Sequence, residues 1–165
     1  MIRKFRNSDK KQVFSLIESV IREIFNFNLT GVSDLENVSE QYNNKGGTFY
    51  VAIEESKTSS NKHGSNKQVK NKYIRSKLIG TIGVYKSSKG FIRVRRMYVH
   101  EAYRCKGIGQ RLMNKVFDFC KQKQYHKLVL STYPQMKAAI KFYKGNGFKK
   151  IGVAKDNAII FEKNI

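Results

Sequence analysis

Cysteine is nearly missing from this chain: Cys105 and Cys120 are the only two in 165 residues, which offers no disulfide framework and no C-x-x-C zinc site. Long apolar runs are missing too. No stretch approaches the ~18 consecutive apolar residues of a membrane span, and nothing near the first residue resembles a signal peptide. The chain therefore reads as a soluble protein of the reducing cytoplasm with no membrane partner. His63, His100 and His126 lack metal-ligand spacing, so no metal is expected. Acidic side chains are scarce, 12 against 33 Lys and Arg, for a formal charge of +21. That excess suits an anionic partner. Lysines scattered among many asparagines are also what compositional bias produces, and the sequence leaves both accounts open.

What is present suffices for one globular domain over residues 1–165, with 40% apolar content to build a core. Ser8 and Asp9 are candidate N-caps, with Gln12 placed to answer Asp9. From there Val13, Leu16, Ile17, Val20, Ile21 and Ile24 recur in steps of three and four, predicting a helix with one buried face to about residue 25. A short second helix is expected over 35–42, ending before the Gly46-Gly47 turn. Residues 48–54, 77–85 and 91–99 are β-rich and predict a meander. Between the first two, residues 56–72 carry five lysines, no acid and Val69 as the only aliphatic side chain, and read as a flexible basic surface insertion. The second half alternates: helix 107–123, strand 127–132, helix 135–146, then strands near 148–153 and 158–162. The fold class is mixed α/β, of the α+β kind.

The feature that carries chemistry is strand, glycine loop, helix: residues 93–99, then Arg104-Cys105-Lys106-Gly107-Ile108-Gly109-Gln110, then a helix burying Ile108, Leu112, Val116 and Cys120. Amides that open a helix have no internal partner and sit at its positive end, so glycines that let a phosphate approach create an anion site. Arg104 and Lys106 add charge, and a pyrophosphate is the natural occupant. A Rossmann or Walker site does not fit, because the third glycine of G-x-G-x-x-G and the G-K-[ST] sequence are both missing.

These residues resemble the GNAT superfamily of N-acetyltransferases, with its R/Q-x-x-G-x-G/A loop after the fourth strand. Arg96-Met97-Tyr98-Val99 is similar to that strand, and residues 138–148, with Phe142, Tyr143 and Gly147-Phe148, to the downstream A-x-x-F-Y-x-x-x-G-F element. The resemblance implies a central twisted, mixed and mostly antiparallel sheet flanked by helices, with acetyl-CoA as cosubstrate. It implies that the amides of residues 104–110 bind the CoA pyrophosphate. Met97, Tyr98 and Val99 would line the pantetheine arm, and Tyr143 would stand near the sulfur as the catalytic residue. The acceptor implied is a primary amine of a small molecule or peptide, with Phe27, Leu29 and Tyr42 as pocket walls, and a homodimer is common among relatives.

One departure is chemical. Many relatives carry a base glutamate on the fourth strand, and the alignment on Met97 puts Arg93 there; Glu54, Glu23 and His100 are the substitutes. Two rival classes follow, an acyl-CoA sensor without turnover and a basic RNA-binding protein. The second rests on residues 89–94, which resemble an RNA-recognition strand but carry Arg93 where a stacking aromatic belongs.

Overall fold

A computed structural model of the chain describes residues 1–26, 32–60, 71–87 and 90–165, and side chains in all of these except 57–60 and 71–75. Seven strands form one mixed sheet in the order β1-β2-β3-β4-β5-β7-β6. They are β1 Ile2–Lys4, β2 Thr48–Ser60, β3 Asn71–Lys86, β4 Ile92–Val99, β5 Lys127–Thr132, β6 Lys149–Val153 and β7 Ile159–Asn164. All neighbours are antiparallel except β4 and β5, which gives the mixed, mostly antiparallel sheet expected. The helices are α1 Lys10–Phe25, α2 Ser33–Glu36, α3 Ile108–Gln122 and α4 Lys137–Gly145. Among the described residues no helix is long and apolar enough to cross a membrane.

Strand alternation divides the core into two layers. Phe49, Val51 and Ile53 point toward α1, whose Val13, Leu16, Ile17, Val20 and Ile21 are buried against them. Ala52, Ile82, Val84, Ile92 and Val94 point the other way, onto Leu112, Met113 and Val116 of α3 and Tyr143 of α4. Gly83 is required by this packing: a Cβ there would lie 2.5 Å from the Tyr42 ring.

Three expectations change. Asp9 does not cap α1. It is buried, receives 2.7 and 2.8 Å bonds from Arg3 and accepts from the Arg6 amide, while Gln12 accepts from the Leu78 amide. The arginine beside Asp9 outbids the helix amides because a two-pronged charged pair is stronger than a cap bond. The second helix shrinks to α2 plus a π-helical turn, Ser39–Asn43. The β2–β3 pairing extends to Ser60↔Asn71, so both ends of the excursion expected over 56–72 belong to strands; residues 61–70 are not among the described residues.

Two irregularities position the site. Between the pairs Thr81↔Tyr98 and Gly83↔Arg95, β4 contains one more residue than β3, a bulge at which Arg96 takes φ +53°. On its other side β4 pairs with β5 only at Ile92↔Leu128 and Arg93↔Val129. Beyond Arg93 the two strands part, leaving main-chain groups of both along an open cleft.

Candidate active site

The glycine loop lies at one end of this cleft. After β4 the chain makes a single turn, Glu101–Tyr103, steadied by the Ala102 amide donating to His100 Nδ1 at 3.3 Å. Cys105 (φ +58°) and Gly107 (φ +74°) then adopt left-handed conformations, which turn successive N–H groups to one side. The first backbone bond of α3 is the Arg111 amide to the Gly107 carbonyl, 3.0 Å, so the amides of Ile108, Gly109 and Gln110 have no intrahelical acceptor. A Cβ on Gly109 would reach only ordinary contact, 3.6 Å from Met97 Cε and Phe142 Cε2. The bare glycine therefore leaves room over the helix start that a side chain would fill, and the donor set suits a diphosphate.

Arg104 behaves differently from the sequence expectation. Its guanidinium grips Glu23 of α1 at 2.6 and 2.7 Å and the Val99 carbonyl at 3.1 Å, and its own amide is bonded to Glu101. It tethers the loop to α1 and the end of β4, and adds no free charge to the cradle. Glu23 is held below the usual carboxylate range by those bonds from Arg104, against the opposing effect of burial. Glu54 accepts from the Tyr103 hydroxyl. Both substitute carboxylates are thus engaged. Lys106 is exposed, with its ammonium 5.4 Å from the Tyr103 ring centre.

Met97 and Tyr98 are half-buried on opposite faces of β4, Met97 toward α3 and Tyr98 toward α1. Tyr143 is 7% exposed, packed against Phe142, Phe148 and Phe161, and among the described residues its hydroxyl has no hydrogen-bond partner. Burial pushes its phenol well up, and Tyr98 adds to the shift, so the group stays protonated at neutral pH.

On the acceptor side, Tyr42 is not a pocket wall. It is 1% exposed in the α1 layer and donates to Asp34 Oδ2 at 2.6 Å; an aromatic with a satisfied hydroxyl is core here. Phe27 and Leu29 lie outside the described residues. Sequence reasoning gave no side-chain role to Arg96, which binds Asp34 at 2.6 and 3.0 Å, and did not foresee the edge-on pair of Phe25 and Tyr133, 5.7 Å apart. The only signal for the former was three arginines in a strand otherwise patterned for burial.

Comparison with known proteins agrees with this architecture. A family model described as Acetyltransferase (GNAT) family matches residues 20–148. N-acetylaspartate synthetase of Xenopus tropicalis is 27% identical over 129 residues, which is 77% of this chain and 40% of that protein; the chain thus spans about two-fifths of that curated relative. A GNAT-family acetyltransferase structure from Staphylococcus aureus Mu50 superimposes with TM-score 0.80 at 26% identity, over 99% of this chain and 98% of the other. PaiA N-acetyltransferase from Thermoplasma acidophilum, solved in complex with coenzyme A, matches in fold with TM-score 0.71 at 20% identity, over 100% and 98% of the two chains. With the glycine loop, the bulged fourth strand and the parted β4–β5 edge all in one matched segment, this chain belongs to the GNAT family of acetyltransferases.

Proposed function

We propose that the chain is an acyl-CoA-dependent N-acyltransferase that moves acetyl from acetyl-CoA directly to a primary amine of a small molecule or peptide. The observation that carries this reading is the opening of α3, three amides without an intrahelical acceptor beside the bare Gly109, next to a β4 edge that leaves β5 after Arg93. The loop amides of residues 105–110 would hold the diphosphate, and the parted edges of β4 and β5 offer main-chain groups to the amides of the pantetheine arm.

In the transfer the ammonium first loses one proton to water, the neutral nitrogen attacks the thioester carbonyl carbon, the C–N bond forms, the C–S bond breaks to release the thiolate, and a second nitrogen proton leaves to water. An alkyl amine with a pKa near 10.4 is only about 0.1% neutral at pH 7.4, a deficit of about 4 kcal/mol. With Glu23 and Glu54 engaged by Arg104 and Tyr103, the ammonium gives up its proton to solvent rather than to either carboxylate. Tyr143 keeps its proton and donates it as a hydrogen bond to the departing sulfur, which stabilises the thiolate without full transfer, since a thiol near pKa 8.5 is the stronger acid. The name of the Xenopus tropicalis relative makes an amino-acid amine a natural first acceptor to try.

The test is release of free thiol from acetyl-CoA with a panel of amines, read together with product mass. Acetylated product with one acceptor class supports the reading. Tight CoA binding with no cleavage by any amine would replace it with an acyl-CoA sensor.

A further inference from the structure

Three of the chain's nine arginines fall within residues 93–96, although lysine is its common cation. Compositional drift toward lysine does not produce that cluster. Strand alternation sends Ile92 and Val94, 0% and 4% exposed, toward α3. It sends Arg93 and Arg95 to the opposite face, where their cross-strand partners are Tyr85 and Gly83. The bulge turns Arg96 to this face as well, onto Asp34. Four positions thus deliver three guanidinium groups to the acceptor side of the cleft.

Their counter-charges do not match. Asp34 is consumed by Arg96, with both carboxylate oxygens occupied and the Tyr42 hydroxyl as a third donor. Arg95 is exposed and, among the described residues, makes no ion pair or hydrogen bond. Among the described residues Arg93 has only the Phe91 ring, 5.8 Å from its guanidinium carbon. Across the parted strands stand Tyr133, which donates to Asp156 at 3.0 Å, and Phe25, edge-on to it. The positive charge of Arg95 is felt, as a minor influence, by Tyr98, Tyr133 and Asp34. A guanidinium is a planar fork that matches a carboxylate with two parallel bonds.

We propose that Arg95, with Arg93 beside it, is the carboxylate subsite of the acceptor pocket, so that the acceptor is an amine that also carries a carboxylate, such as a free amino acid. This rests on the N-acyltransfer reading above and narrows its substrate class. The Phe25 and Tyr133 rings flank the acceptor body, and its amine is directed along β4 toward Tyr98 and the thioester.

The experiment compares free amino acids with their carboxamides as acceptors for the full chain and for Arg95→Gln and Arg95→Lys. The parent protein should prefer the carboxylate at least about tenfold in kcat/KM. Arg95→Gln should raise KM for it about 10 to 100 fold, the loss of a charged hydrogen-bond pair, while Arg95→Lys recovers part. Calorimetric acetyl-CoA affinity and melting temperature should not move, since Arg95 is exposed and lies on the face of β4 turned away from α3. In parallel, N-acetyl amino acids and their amides are titrated into CoA-loaded protein, which reads the subsite without turnover. Equal use or equal binding of acid and amide by the parent overturns the subsite, as does an Arg95→Gln variant with preference intact. Absence of thiol release with every amine overturns the acyl-transfer reading instead, and the titration still judges Arg95.

Discussion

Replacing Asp34 by alanine removes the carboxylate that pairs with Arg96, and the structure sets the size of the effect. Asp34 accepts from Arg96 at 2.6 and 3.0 Å and from Tyr42 at 2.6 Å, with the Arg96 and Asp34 side chains only 9% and 14% exposed. Deleting one partner of a buried ion pair costs about 3–5 kcal/mol, because the other charge stays buried without compensation. The stranded Tyr42 hydroxyl alone would account for about 1–3 kcal/mol; the two overlap, so about 4 kcal/mol is expected in urea titration. Asp34→Asn keeps part of the bonding and should lose roughly half as much. The double variant Asp34→Ala with Arg96→Met should be more stable than Asp34→Ala, since no charge is then orphaned. The pH dependence has a fixed sign. Burial resists ionisation of Asp34, but the bonds from Arg96 and Tyr42 outweigh it and hold the carboxyl below its usual value. Its contribution is therefore complete above the unfolded carboxyl pKa of about 3.9 and fades as pH falls through the lower folded value. Acid sensitivity in that window should be weaker in Asp34→Ala than in the parent. An Asp34→Ala loss under about 1 kcal/mol, or an unchanged acid profile, would refute the reasoning. The same variant should slow transfer, because Arg96 pins the bulge that orients Met97 and Tyr98.

Two further outcomes follow from the cleft. Tyr143→Phe should lower turnover about 10 to 1,000 fold with CoA affinity retained, as expected for a lost donor to the leaving sulfur; an unchanged rate with a competent acceptor removes Tyr143 from the mechanism. Cys105→Ser should keep activity within about threefold, because the loop acts through its amides and no nucleophile is required; complete loss, with an acylated Cys105 in the parent by mass spectrometry, would contradict direct transfer.

Periodicity made most of the fold legible. The α1 stripe from Val13 to Ile21 and the α3 stripe at Ile108, Leu112 and Val116 stand where three- and four-residue spacing put them, and the strand over 127–132 stands where its short apolar run put it. Elements set by long-range pairing were not legible: Asp9 is a strong cap residue by type, and only the approach of Arg3 from β1 diverts it. Tyr42 looked like a pocket aromatic because nothing local reveals that Asp34 sits eight residues before it to take its hydroxyl proton bond. The loop glycines were visible because left-handed φ and close approach restrict residue type. The engagement of Arg104 by Glu23, 81 residues distant, left no such mark, and neither did the meeting of Tyr133 with Phe25.

The grip of the opening α3 amides on a diphosphate is most directly measured by calorimetry of CoA and of pantetheine, which lacks the diphosphate, with the parent and Gly109→Val proteins. A side chain at Gly109 meets only Met97 and Phe142 at ordinary contact near its Cβ, so the variant folds while its branch fills the space above the helix start. The account predicts CoA binding that falls at least about tenfold in Gly109→Val, with pantetheine affinity nearly unchanged. No CoA affinity in the folded parent, or equal affinity in the two proteins, would contradict it.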